Sequence, residues 1–489
     1  MSFLGLDIGT SSVKALLLDA GQRVLATGSA SLEVSRPLAL WSEQNPEDWW
    51  QATLAAVATV RAAAPEAWRG LRAIGLSGQM HGAVLLDARG EVLRPAILWN
   101  DGRSGAECAD LTRLVPDLAT RAGNIAMPGF TAPKLLWVSR HEPEVFAATA
   151  RVLLPKDYIR YRLSGAFVSD LSDSSGTLWL DVGARAWDDT LLAATGMRRA
   201  QMPELVEGSR RSADLSPELA AAWGLAGAAI PIAAGGGDNA ASAVGIGAIR
   251  AGEGFLSLGT SGVLFAVTDR YVSAPARTLH AFCHALPGRW HGMTVHLSAA
   301  AALAWVAEIV GRPHDIGRLL SEAEAWAANP AHREGAPIFL PYLSGERTPH
   351  NDPNASAMFA GLRAGHGVAA MVYAVLEGVA FSLADGHDVL TEAGARLDSC
   401  LLVGGGARSR FWGQMLADIL GIELSLPAGA ELGGAFGAAR LGMLAAGVGS
   451  EDDICTRPAI EQVFAPGGDT RADRLARFRA LYTAERATR

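Results

Sequence analysis

Apolar positions open the chain in short unbroken bursts. Residues 3–9, FLGLDIG, are apolar on both faces apart from Asp7, the pattern of a strand buried inside a sheet. GTSS turns the chain, VKALLLD at 13–19 predicts a second strand, and RVLATGSAS at 23–31 a third. The period then lengthens. NPEDWWQATLAAVATVRAAA predicts a helix, with Asn45 placed to cap it and Pro46 at the first helical position, where an N–H would go unpaired anyway. Trp50, Leu54, Val57 and Val60 mark its buried face. RAIGLSG and AVLLD return to strand patterns. Strands first, then alternating helices and strands, indicate an α/β fold built on a mixed sheet.

The second half alternates too. SAAAALAWVAEIVG predicts a helix, and HGVAAMVYAVLEGVAFSLADGHDVL a long one with Val368, Met371, Val375, Val379 and Leu383 along one stripe. SCLLVGGGA is a strand running into glycines, and SRFWGQMLADILG a helix closed by Gly421. The charged final segment, DTRADRLARFRALYTAERATR, reads as a helix in a solvated tail. One observation organises the rest. FLGLDIGTSSV near the start echoes EGFLSLGTSGV at 253–263, so that aligning Thr10 with Thr260 superposes an apolar strand and a shared G-T-S turn. An echo half a chain apart predicts two related domains facing each other.

Composition narrows the function. A chain of 489 residues is too long for one ordinary core, so two or three domains are expected. With 49% hydrophobic and 19% charged residues it reads as a well-buried globule. A net charge of −8 and the lack of any Lys/Arg run argue against nucleic acid as a partner. The four cysteines are far apart with no CxxC pair, which argues against a disulfide framework and a cysteine-rich zinc site and suits a reducing cytoplasm. The first residues carry no basic segment before an apolar run, so no signal peptide is expected. The longest apolar stretches are broken by Gly and Pro, so none reads as a membrane helix.

Four glycine-rich turns follow apolar strands: DIGTSS, GGGDNA, SLGTSG and GGGARS. Each can present backbone N–H groups and hydroxyls to an anion. None matches GxxxxGK[ST], so this is not a P-loop. GGGDNA fits the looser GxGxxA, but Asp238 inside a pyrophosphate loop would oppose binding. Asp7 and Asp238 suit another chemistry. Transfer of a phosphoryl group from ATP to an alcohol needs Mg²⁺, donors around the phosphates and a base for the attacking hydroxyl. A strand-end aspartate can orient the metal, and an aspartate beside the transferred group can accept the proton. The alternative for Asp238 is a helix cap before AASAVGIG. SGQMHG at 77–82 places Gln79, Met80 and His81 exposed on a turn, a combination suited to gripping a polyol. HAFCH at 280–284 has zinc-like spacing for His280 and His284, but lacks a third ligand and reads as structural.

Together these stretches resemble the FGGY carbohydrate kinases, and within them the branch that phosphorylates D-xylulose. The resemblance covers nearly the whole chain, through DIGTSSVK, LWSEQNPEDWWQA, GQMHG, LRPAILWNDGRS, LLPKDY, GGGDNA, LSLGTSG, PYLSGERTPHN, AVLEGVAF and GGGARSRFW. GFTAPKLLWVSRH fits the family's first signature closely; GLRAGHGVAAMVYAVLEG fits the second except that Ala370 stands where a polar residue is usual. The resemblance implies two actin-like, ribonuclease-H-like domains flanking a deep cleft: residues 1–248 on the sugar side and 249–489 on the nucleotide side. It implies that Asp238 is the general base and that Asp7 assists through Mg²⁺, held directly or through water. Met80, His81 and Asn239 would meet the sugar. Thr10 and Ser11 would face the γ-phosphate, with Thr260, Ser261, Gly405 and Gly406 on the nucleotide side, while Lys14 would add positive field. The implied reaction is MgATP plus D-xylulose giving ADP and D-xylulose 5-phosphate, in a cytoplasmic homodimer, with the cleft closing on the sugar. Other readings are a kinase of the same family for ribulose, gluconate or glycerol, an actin- or chaperone-like switch ATPase without a sugar site, and a catalytically silent paralogue.

Overall fold

The computed structural model describes residues 1–225, 227, 229–429 and 433–489. Two seven-stranded sheets carry the fold, one in each half of the chain. The first contains β1 (Ser2–Ile8), β2 (Ser12–Asp19), β3 (Val24–Ser31), β4 (Leu71–Gly78), β5 (Arg211–Asp214), β6 (Pro231–Ala233) and the short β7 (Gly236–Gly237). Its order is β5-β6-β4-β1-β2-β3, with β7 also paired to β4. The second contains β8 (Glu253–Leu258), β9 (Gly262–Thr268), β10 (His280–Cys283), β11 (Trp290–His296), β12 (Ser399–Val403), β13 (Leu424–Pro427) and β14 (Ile460–Phe464), in the order β10-β11-β9-β8-β12-β13-β14.

The internal echo is a topological one. β1 pairs antiparallel with β2 and parallel with β4, and β2 pairs antiparallel with β3. In the second sheet β8 pairs antiparallel with β9 and parallel with β12, and β9 pairs antiparallel with β11. Thr10 and Thr260 therefore sit on matching turns between matching strands.

The helices that bear on the site and its core are α1 (Pro46–Ala63), α2 (Thr131–His141), α3 (Pro155–Ser164), α4 (Asp238–Gly245), α5 (Ala300–Ile309), α6 (Val368–Glu392), α7 (Arg410–Leu420), α8 (Gly434–Ala445) and α9 (Ala472–Ala487), with others between them. α1 begins as its sequence predicts. The Asn45 side chain accepts the Glu47 N–H and Pro46 is its first residue. Its buried face is led by Trp49 and Trp50 with Val57 and Val60, whereas Leu54 is only half-buried. Gly421, at φ 68°, closes α7 as expected.

Two expectations fail for tertiary reasons. The long helix α6 is not a one-sided stripe, because every residue from 372 to 386 is buried. It is the one helix among the described residues long and apolar enough to cross a membrane, and 83% of its apolar window lies inside the fold. Nor is α9 a solvated tail. Phe478 and Tyr482 enter the core beneath α6, and the Arg474 guanidinium lies against the buried carboxylate of Glu377, which Arg471 also meets at 3.0 Å.

Helix α8, from the second half, packs on the first sheet. The fit depends on absent side chains. A Cβ on Gly75 of β4 would lie 1.6 Å from the Ala438 carbonyl oxygen, and one on Gly5 of β1 would lie 1.9 Å from that of Ala435. On the other side of the helix a Cβ on Gly437 would lie 1.7 Å from the Ala241 oxygen in α4. Arg440 then bonds the end of α4, reaching the carbonyls of Val244 and Gly245 at 3.0 Å each. All four cysteines are free and buried.

Candidate active site

Parallel pairing brings the two aspartates of interest to one sheet edge. In the β1–β4 register Asp7 lies beside Ser77, and in the β7–β4 register Gly236 lies beside Ser77 and Gly237 beside Gly78. Asp238 follows at once as the first residue of α4. Ser77 donates its hydroxyl to Asp7 Oδ1 at 3.0 Å. Lys14, paired with Asp7 across β1 and β2, faces the same carboxylate and favours its charged form. Burial nevertheless dominates and raises the proton affinity of Asp7. The N-terminus of α8 abuts the same group: a Cβ on Gly434 would lie 2.9 Å from Asp7 Cγ.

Burial, with the Asp7 charge added, pushes Asp238 up to about 6, while bonds from Asn239 pull it partly back. Those bonds run from the Asn239 backbone N–H (2.7 Å) and side-chain amide (2.9 Å) to Asp238 Oδ1. The capping alternative therefore fails. Asp238 lies inside the helix, Gly237 occupies the cap position, and no side chain caps this helix.

The residues expected to meet the sugar are less exposed than their turn-like sequence predicts. Gln79 and Met80 are buried and His81 half-buried, because neighbouring elements cover the turn. Met80 packs on the glycine turn before Asp238, so that a Cβ on Gly237 would lie 2.9 Å from Met80 Sδ. His81 holds a left-handed φ of 70°, a backbone cost that its surroundings must offset. Helix α2 supplies the offset: Thr131 and the wholly buried Lys134 donate to the His81 carbonyl at 3.1 and 2.8 Å. The His81 ring donates Nδ1–H to the Gly176 carbonyl at 2.7 Å, which leaves Nε2 as an acceptor. Burial drives its pKa down to about 3, so the ring is neutral.

Two cavities flank this centre. The larger, about 660 Å³, is lined by Asn239 and Ser242 of α4, Ser257 of β8, Gly404, Gly405 and Arg408. The smaller, about 530 Å³, is lined by His81, Trp99, Phe130, His280, Arg347 and Asn351 among others. Both draw on the two halves of the chain. Asn239, expected beside the sugar, lines the larger cavity with Gly405, because α4 carries it past Asp238 to that side. Gly406 backs onto Leu258 rather than lining the cavity. Thr260 and Ser261 are exposed on their turn, and the Thr260 carbonyl accepts the Ala299 N–H. Ser11 is likewise exposed. The Thr10 hydroxyl donates to Gln79 Oε1 (3.0 Å) and accepts from Trp99 Nε1 (2.9 Å), a tie between the first turn and the rim of the smaller cavity.

Sequence reasoning missed several lining residues. Arg347 is half-buried at the smaller cavity, where desolvation lowers its proton affinity against the opposing charge of Glu346. Glu346, pushed up to about 7 by burial, accepts N–H groups from Leu297 and Arg347. HAFCH divides in two. His280 lines the smaller cavity and shares Nδ1–H with Asn124 Oδ1 at 2.7 Å, while His284 is buried elsewhere. No group of three or more His, Cys, Asp or Glu among the described residues is placed to hold a metal ion alone.

Comparison with known proteins gives the family. Residues 2–245 match the N-terminal domain of the FGGY family of carbohydrate kinases, and residues 254–446 match its C-terminal domain. The chain is 52% identical over 445 residues to a xylulose kinase of Escherichia coli (strain K12), covering 91% of this chain and 90% of that protein. It is 50% identical over 444 residues to a xylulose kinase of Klebsiella pneumoniae, with 91% and 90% covered. The crystal structure of a xyloylose kinase from Brucella ovis superposes with a TM-score of 0.94 at 47% identity, over 100% of both chains. The chain belongs to the FGGY family of carbohydrate kinases and is an ATP-dependent carbohydrate kinase of α/β fold.

Proposed function

We propose that this kinase phosphorylates D-xylulose at its primary hydroxyl, giving D-xylulose 5-phosphate and ADP. The observation that carries the reading is Asp238. It begins α4 between Gly237, on which Met80 packs beside the His81 of the smaller cavity, and Asn239, which lines the larger one. The names and identities of the relatives support the choice of sugar. A carboxylate with a pKa near 6 is ionised at neutral pH and is a stronger base than an ordinary aspartate. In this mechanism Asp238 takes the hydroxyl proton as the oxygen attacks the γ-phosphorus in line with the departing ADP. Neutral His81 offers Nε2 to a sugar hydroxyl, and the Met80 thioether excludes water beside it. Asn239 and the Gly404–Gly405 turn face the nucleotide, with Thr10, Ser11, Thr260, Ser261 and Gly406 on the turns around it.

Two half-buried carboxylates at neighbouring strand ends, each with raised proton affinity, fit a divalent cation better than they fit each other. Mg²⁺ commonly uses one or two protein carboxylates with phosphates and waters, so Asp7 would hold it, directly or through water. When bound, it would neutralise charge on the β- and γ-phosphates. We place the domain division between residues 248 and 249, and assign the protein to the cytoplasm as a homodimer.

The test is ADP release from MgATP with D-xylulose, D-ribulose, gluconate, glycerol or no sugar. A selective response to D-xylulose is expected. Selective response to another acceptor would move the assignment within the family, and equal rates with and without every sugar would end it.

A further inference from the structure

The glycine turn that delivers Asp238 cannot hold its own shape. Gly235 adopts φ 84°, where a Cβ would lie 2.2 Å from the Leu76 oxygen, and Gly236 and Gly237 follow with no side chains to pack. Three successive glycines lose more conformational entropy on ordering than any other triplet. Something else must fix them.

A wholly buried ionic cluster lies against this turn. Lys156 Nζ stands 2.6 Å from Asp157, 2.7 Å from Asp170 and 3.0 Å from Asp173, and Arg160 stands 2.8 Å from Asp157. All five side chains are fully buried. Burial would lower the proton affinity of Lys156, but the three surrounding carboxylates outweigh it and hold the ammonium charged. Burial pushes Asp173 the other way, well above the usual carboxylate range.

The cluster reaches both ends of the turn. At one end the Arg160 guanidinium donates to the Ala234 carbonyl. At the other, Ser172 gives its single hydroxyl proton to Asp170 Oδ2 at 2.5 Å. Its lone pair then accepts the Gly237 N–H at 3.1 Å. The polarity of that relay is fixed, because Asp170 accepts and Gly237 donates. Asp170 also accepts the backbone N–H groups of Ser172 (2.7 Å) and Asp173 (3.2 Å), so Ser172 itself cannot swing. Buried ion clusters contribute little net stability compared with apolar packing of the same volume. Through Ser172 this cluster also bonds the residue before Asp238.

We propose that Ser172, oriented by Asp170 and Lys156, is a positioning residue that sets the attack geometry of Asp238. The inference rests on Asp238 being the base. Releasing the Gly237 N–H would let the turn shift the carboxylate without disturbing either cavity, so turnover should suffer and substrate affinity should not.

The experiment compares Ser172→Ala, Ser172→Cys and Asp238→Asn in the full chain, with D-xylulose and MgATP. Cysteine nearly conserves volume but accepts hydrogen bonds poorly, so it carries the test if the alanine variant fails to fold. Both Ser172 variants are expected to lose about tenfold in kcat, within the hundredfold that a small misplacement can cost. KM for sugar and for ATP should stay within about twofold, since uniform binding is untouched. Wild-type kcat in a folded Ser172 variant, with Asp238→Asn inactive, overturns the positioning role and leaves the base in place. A raised KM at unchanged kcat overturns it equally. Wild-type turnover in Asp238→Asn overturns both readings.

Discussion

Asp238 is a carboxylate held beside a second carboxylate, and both consequences of that placement are measurable. As a base it must be unprotonated. Its proton affinity, raised to about 6, therefore predicts that kcat/KM falls with unit slope below about pH 6 in the free enzyme. A profile flat between pH 5 and pH 7 would remove Asp238 from the role. The second consequence is thermodynamic. A folded-state pKa above the unfolded value of 3.8 means that stability is fully present below that value and is lost as pH rises through about 6. At pH 8 the wild-type protein carries the full cost of the buried charge, whereas Asp238→Asn carries none. The variant is expected to melt about 2–4 °C higher at pH 8, and the gap should close towards pH 4. Melting curves at the two pH values check this without any substrate.

Helix α8 depends on what its neighbours lack. Gly75→Ala would set a Cβ 1.6 Å from a backbone oxygen that cannot move without shifting the helix. The expected loss is about 3 kcal/mol, typical of overpacking. Gly105→Ala, where a Cβ meets nothing within 4 Å, should change melting by less than about 0.5 kcal/mol and serves as the control. Because α8 bridges the first sheet and α4, Gly75→Ala should also impair turnover at temperatures where the protein stays folded. Helix α9 makes a different demand. Glu377 is buried between Arg471 and Arg474. Glu377→Ala would strand both cations, and a loss of about 3–5 kcal/mol is expected in thermal or denaturant unfolding.

Both cavities are lined from the two halves of the chain, so relative motion of the halves opens or narrows both together. Closure would expel water, which competes with the sugar for the phosphoryl group. The radius of gyration from solution scattering is expected to fall when D-xylulose and a non-hydrolysable ATP analogue are both present. An unchanged profile would mean that the halves are already closed, and water exclusion would rest on Trp99 and Phe130 at the smaller cavity.

The chain's own pattern determined a good deal. Strand bursts, the α1 cap and the echo of Thr10 by Thr260 are local or repeat signals, set by side-chain period and turn chemistry, and they survive in the structure. Other features were decided only on folding, because they depend on which surfaces meet. A charged segment reads as solvated until Glu377 is seen beneath it. His280 reads as structural until β10 is seen beside Phe130 and Arg347. The burial of Gln79 and Met80, the side of Asp238 on which Asn239 lies, and the link from Lys156 to Gly237 are all contacts between residues far apart in sequence. Periodicity reports which face of an element is apolar. It does not report what covers that face, and here that covering places the groups proposed for catalysis.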